Sequence, residues 1–249
     1  MKIDGIILVA AMMLPVFCGM SQEKAGDTVH RHDEFIDELD RRIDSIFLCS
    51  SVIYNYFHYL TENDFRKIAE ELDVEVSAIK AIIEVEAGKS LSGLTSDGKP
   101  VVNYSAKTFL KKAAKKGVNL LKARKEHPKA FASPSRNMSE NYIRLSEAMA
   151  VDTAAAVEST FWGMFQIGGF NYRKCGVKTH SEFARRMGES EHEQLELFAT
   201  FLRNCGMVEA IRQKNWRKFA LMYNGPSYAK RGYHKKLADA YARYKKEPK

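Results

Sequence analysis

The chain has little that would staple or punctuate it. Four cysteines and six prolines in 249 residues exclude a disulfide scaffold and a proline-rich linker protein. No CxxC spacing sets up a zinc site, and no internal repeat marks a solenoid. After residue 17 no apolar run approaches the roughly 20 residues that a membrane span needs. An excess of acid is also missing: 39 Lys and Arg face 31 Asp and Glu, a net charge of +8. Such a surface favours polyanions such as nucleic acid, anionic lipid or bacterial wall polymer. The apolar share of 45% and charged share of 28% are those of a globular protein. The length suits one sizeable domain with an extension.

The first residues, "MKIDGIILVAAMMLPVFCGMSQ", carry Lys2, an apolar run from Ile6 to Phe17, then small and polar residues. That is the layout of a secretory signal, and residues 1–21 are assigned to it, with cleavage after Ser21. Cys18 is an alternative lipid-anchor point, although Phe17 is a poor fit to a lipoprotein box. Of the other cysteines, Cys175 and Cys205 either pair in an oxidising compartment or stay as buried free thiols.

Residues 22–60 form an N-terminal helical extension. Phe35, Leu39, Ile43, Ile46 and Phe47 make one helical stripe within it. Residues 61–249 form the main domain, mostly helical. Two short helices break around Asp73 and Val74, with Ser77 a candidate N-cap. Asp97-Gly98 then signals a small β-hairpin. Helical patterns resume at 106–117, 139–151, 152–159, 180–188, 191–206, 215–225 and 233–244. The basic stretch 122–137 between them reads as an exposed loop, and the C-terminal "KKEPK" as a frayed end.

Three segments suggest chemistry. In "AIIEVEAGKS", Ile79, Ile82, Ile83 and Glu86 occupy i, i+3, i+4 and i+7, so Glu86 continues the apolar stripe of a helix. Glu84 lies on another face, with Lys80 at i−4 as its partner. A carboxyl on an apolar face is costly when ionised, so burial keeps it protonated, which is what a general acid requires. The bland alternative is that Glu86 emerges into water at the helix end. In "ESTFWGMFQIGGFNYRKCG", Gly163 allows close backbone approach at a helix start. Gln166 offers an amide to N-acetyl and hydroxyl groups. Trp162, Phe165, Phe170 and Tyr172 provide either sugar-stacking surfaces or a tight aromatic core. In "FALMYNGPSYAKRGY", Tyr223 and Asn224 end a helix, either as a plain cap region or reaching into a cleft.

Taken in order, these segments resemble the N-acetylmuramidase family of phage endolysins and bacterial cell-wall enzymes, over about residues 62 to 245. The resemblance implies a lysozyme-like fold, mainly α with a small β-hairpin (α+β in the broad sense). It implies cleavage of the β-1,4 bond between N-acetylmuramic acid and N-acetylglucosamine in peptidoglycan. Glu86 takes the place of the family's acid, and Ser159, Gln166, Tyr223 and Asn224 match its saccharide-cleft positions. No cofactor and no metal are implied. The partners are peptidoglycan glycan strands rather than nucleic acid, since no basic-aromatic nucleic-acid module is present. The chain is read as a monomer, exported to the periplasm or beyond. Two departures stand out: Ala87 follows the acid where the family has Ser, and Ser105 falls where it has Glu. The second carboxylate is therefore open, with Asp97 and Glu158 as candidates. Two other readings remain: a lytic transglycosylase giving 1,6-anhydro ends, and a wall-binding protein without catalysis.

Overall fold

The computed structural model describes residue 41, residues 59–88 and residues 92–246. The chain divides into two compact units, residues 1–53 and 54–249, and the account below concerns the second. The signal segment 1–21, Cys18 and nearly all of the 22–60 extension lie outside the described residues. Of that extension, Arg41 is helical, and Tyr59 and Leu60 are not.

The domain opens with α1 (Glu62–Leu72). Asp64 reaches back to the Thr61 backbone N–H at 2.8 Å, satisfying one orphan donor of the first turn. Asp73 ends the helix in the left-handed conformation at φ 52°, where the sequence places a break. Helix α2 (Val76–Ala87) follows, with Glu75 rather than Ser77 at its N-cap. Its Ala78, Ile79, Ala81, Ile82 and Ile83 are all fully buried, so α2 runs through the core.

The predicted hairpin shrinks to a single bridge, Leu94 to Pro100, around Asp97-Gly98. The sheet is built instead from one early strand, β1 (Val102–Tyr104), and two later ones joined by a short turn, β2 (Thr160–Trp162) and β3 (Ile167–Gly168). They run antiparallel in the order β1-β2-β3, with Val102 opposite Trp162 and Phe161 opposite Gly168. Val102, Tyr104, Thr160 and Trp162 face inward while Asn103 and Phe161 face out, the period-two pattern of a half-buried sheet. The helix start expected at Trp162–Ile167 is instead the end of β2, a turn and the start of β3.

Between the first two strands lie α3 (Ala106–Lys115), α4 (Leu120–Glu126) and a 3-10 turn, Pro128–Phe131. The stretch read as an exposed basic loop is mostly exposed, but it carries the end of α4 and the 3-10 turn, and its Ala123 and Ala130 are buried. The long α5 (Met138–Glu158) is kinked at Asp152, at φ −158° and ψ 106°. The Asp152 carboxylate accepts from Ala155 N at 2.7 Å, capping the second half as a helix of its own. The two separate patterns read at 139–151 and 152–159 meet at this kink.

A 3-10 segment (Gly169–Cys175) leads to α6 (His180–Glu189) and α7 (Glu191–Asn204). Then come α8 (Val208–Arg212), α9 (Trp216–Asn224) and α10 (Tyr233–Lys246). Helix α10 packs along α2. Glu84 pairs with Arg243 of α10, and Lys80 pairs with Glu62 of α1 at 2.5 Å. The Lys80–Glu84 partnership expected from spacing does not form, because each side chain meets a neighbouring helix carrying the opposite charge. Cys175 and Cys205 are free thiols, and burial pushes the Cys175 thiol up to about 12, which leaves it unreactive. No helix among the described residues is long and apolar enough to cross a membrane.

Candidate active site

Glu86 sits in the last turn of α2, just before Gly88 leaves the helix at φ 83°. The residue as a whole is partly buried, but its Oε1 is sealed from solvent and has no hydrogen-bond partner among the described residues. Burial pushes the Glu86 carboxyl up to about 8, against the opposing pull of the Asn224 amide and the Arg231 guanidinium. Asn224 Nδ2 is also buried without a partner of its own. The Asn224 amide is near enough to the Glu86 carboxyl to act on it.

Tyr223 and Asn224 come from the last turn of α9, which Gly225 ends at φ 70°. The Tyr223 hydroxyl donates to the Phe165 carbonyl, tying the end of α9 to the β2–β3 turn. Burial raises the Tyr223 phenol well above its ordinary value, and the nearby Glu86 carboxyl adds to this. Glu86, Tyr223 and Asn224 therefore share one site. Gln166 lies on the same turn as Phe165, at φ 46°, a conformation that non-glycine residues rarely adopt. Its Nε2 donates to Gly163 O at 2.9 Å, which holds the strained turn and fixes the amide. Ser159 stands apart: it is 2% exposed, and its Oγ is buried without a partner.

The aromatic residues divide differently from the expectation. Trp162, Phe165 and Tyr172 are buried, with Phe165 stacked on Phe198 at 3.8 Å. Phe170 is 51% exposed and meets Phe161 edge to face. The tight-core reading therefore holds for three of the four.

Both candidate second carboxylates are held in ion pairs. Asp97 is exposed, and the Lys99 ammonium and Thr95 hydroxyl keep its carboxyl low. Glu158 bridges Lys112 at 2.5 Å and His180 at 2.6 Å. Partial burial alone would raise it, but these hydrogen bonds outweigh that and lower it. Ser105 serves the backbone instead, its Oγ capping α3 by accepting from Thr108 N at 3.2 Å.

Two groups escape the sequence reading. Arg231, on the loop between α9 and α10, acts on the Glu86 carboxyl through its charge. The second is a buried polar clip on α7. Glu191, 3% exposed, accepts from Ser92 Oγ and Gly93 N at 2.8 Å and from Leu60 N at 3.1 Å. Gln194, fully buried, accepts from Met164 N at 2.8 Å and donates to the carbonyls of Gly93 and Met187. The clip fastens the segment that follows Glu86 to the turn that carries Gln166. Gly163 is required there: a Cβ would lie 2.4 Å from Gln194 Oε1, and its φ is +69°. The signal was present, since Gln194 lies on the apolar stripe with Leu195, Phe198 and Leu202, as Glu86 does on its own helix.

Residues 75–245 match the N-acetylmuramidase (Muramidase) family. Among solved structures, the chain is similar to the crystal structure of the Burkholderia AP3 phage endolysin. The two are 34% identical with a TM-score of 0.65, over 76% of this chain and 73% of that one. No curated protein matches.

Proposed function

Because the chain belongs to the N-acetylmuramidase family, and so is a glycoside hydrolase of peptidoglycan, we propose that it cleaves the β-1,4 bond between N-acetylmuramic acid and N-acetylglucosamine with Glu86 as general acid. One observation carries this reading: a carboxyl at the end of a core helix, held protonated to about pH 8 by burial. A carboxyl that keeps its proton at neutral pH can deliver it to the glycosidic oxygen as the C–O bond breaks. Asn224 and Tyr223 orient the sugar beside it, Gln166 reads an N-acetyl or hydroxyl group, and Ser159 is the remaining saccharide-cleft position. Water completes the reaction at the muramic acid C1. Residues 61–249 form the catalytic domain, residues 1–21 serve export to the periplasm or beyond, with Cys18 the alternative lipid anchor, and the enzyme works as a monomer.

A second reading has a specific observation behind it. Among the described residues, the groups that shift the Glu86 carboxyl include an amide and a guanidinium but no second carboxylate, and both Asp97 and Glu158 are tied to cations. A lytic transglycosylase needs only one acid, which protonates the leaving oxygen and then takes the proton of the sugar's own 6-hydroxyl. Mass spectrometry of digested peptidoglycan, with wild type beside Glu86→Gln, separates the two. Reducing muramic acid ends that vanish in the variant support hydrolysis through Glu86. Anhydro ends establish the transglycosylase, and unchanged turnover by the variant removes Glu86 from the mechanism.

A further inference from the structure

The positive charge of this protein is not spread over its surface. Residues 106–129, which make up α3, α4 and the turns beside them, hold nine Lys or Arg and a single Glu. Their net charge equals the +8 of the whole chain, so the rest of the protein is balanced.

Helix geometry sorts the five lysines of α3 and its C-cap into two rows. Lys112 and Lys116 face α5, where they pair with Glu158 at 2.5 Å and Asp152 at 2.9 Å. Lys107, Lys111 and Lys115 are spaced by four, so they stack on one face of α3, and all three are exposed. Among the described residues none of them forms an ion pair, and neither does exposed Lys125 on α4. Like charges four apart on a helix repel one another, so the outer row is kept without any compensation from the chain itself.

An apolar group stands on the neighbouring helix, four residues before Lys125 and so on the same face of α4. Leu121, in the first turn of α4, is 85% exposed, the most exposed large hydrophobic side chain among the described residues. Helices α3 and α4 pack against each other and the adjoining 3-10 turn, and α3 packs on α5, whereas α2 with Glu86 packs on α1 and α10. The basic face is therefore built on other elements than the acid.

An unpaired lysine row with a protruding leucine fits one kind of partner. We propose that the α3–α4 face docks on bilayers bearing anionic phospholipid headgroups, Lys107, Lys111, Lys115 and Lys125 meeting the phosphates and Leu121 entering the acyl boundary. Lysines near a charged leaflet are each attracted to it, and an apolar side chain beside them adds the second anchor that lasting attachment needs. A nucleic acid or anionic wall polymer would satisfy the lysines but offers no apolar layer to Leu121. A neutral bilayer would take the leucine and leave the lysines unmatched. Docking would hold the enzyme against the membrane side of its wall substrate.

The test is co-sedimentation of the full chain with vesicles of phosphatidylglycerol and phosphatidylcholine in equal parts, beside phosphatidylcholine alone. The apolar N-terminal run would favour both compositions alike, so the difference between them reads the basic face. Changing Lys107, Lys111 and Lys115 together to Glu should weaken anionic-vesicle binding about a hundredfold, and Leu121→Asp about tenfold. Both variants should turn over soluble glycan fragments at the wild-type rate, which also shows that they fold. The corresponding Gln triple replaces the Glu triple if the latter does not fold. Equal wild-type binding to both compositions overturns the proposal. So does Leu121→Asp binding as tightly as wild type while DNA or teichoic acid competes the protein off, which would make the face a general polyanion surface.

Discussion

Replacing Glu86 by Gln should make the protein more stable and less active, and the gain in stability should depend on pH in a defined direction. The carboxyl has an ordinary value of 4.5 and is raised to about 8 in the folded protein. Between those values the folded protein holds a proton that the unfolded chain releases, so stability falls as pH rises through this window. The penalty is absent below 4.5 and complete above about 8. Near neutral pH it amounts to about 3 kcal/mol, taking ~1.4 kcal/mol per unit over the part of the window already crossed. Gln has the same shape and cannot ionise, so Glu86→Gln removes the penalty. Urea melts of both proteins at acid, neutral and alkaline pH measure it. The stability difference should be near zero at pH ~4 and grow to a few kcal/mol at pH ~8.5, or several degrees in Tm. Activity should fall by about a hundredfold to ten-thousandfold, the usual contribution of a positioned acid. The wild-type rate should decline on the alkaline side near pH ~8. A stability difference that stays constant from acid to alkaline pH would refute the protonated, buried state of Glu86, whatever happened to activity.

Other substitutions probe the surroundings of the acid. Arg231→Met removes the charge that opposes the upward shift of Glu86, so the alkaline limb of the pH–rate profile should move to higher pH; an unmoved limb would dissociate Arg231 from the acid. Gln194→Leu leaves Met164 N and the Met187 carbonyl unpaired inside the protein, while the Gly93 carbonyl keeps Val101 N at 2.8 Å. At about 1–3 kcal/mol for each of the two unsatisfied buried groups, urea denaturation should show a loss of at least about 2 kcal/mol. Asp97→Asn changes an exposed residue, so muropeptide release should stay within about twofold of wild type, as surface changes shift free energies by less than ~0.5 kcal/mol. A loss of two orders of magnitude would instead make Asp97 the second carboxylate.

The helical order of the domain was legible because most of its helices announce themselves by periodicity. So was the burial of Glu86, whose place on the stripe of α2 needs only a turn of 100° per residue. The sheet was harder to read. Its strands have two or three residues, too few for a period to show, and β1 finds its partner sixty positions away, Val102 against Trp162, so no local pattern records that pairing. Lys80 and Glu84 misled for a related reason: spacing shows which residues could meet on one helix, while the packed structure offered each a better partner on another. The clip of Glu191 and Gln194 was within reach, since polar residues on an apolar stripe are conspicuous. Arg231 was not, because a loop residue's approach to Glu86 depends on how α10 lies along α2.

The clip also bears on when the enzyme can act. Its bonds to Leu60, Ser92 and Gly93 join residues 98 to 131 positions apart, and Asn224 reaches Glu86 from the opposite end of the domain. An unfolded chain has none of these contacts, and its Glu86 is an ordinary solvated acid that has lost its proton at neutral pH. The proton that Glu86 keeps at neutral pH is thus a property of the completed fold, acquired only when the C-terminal helices close on α2.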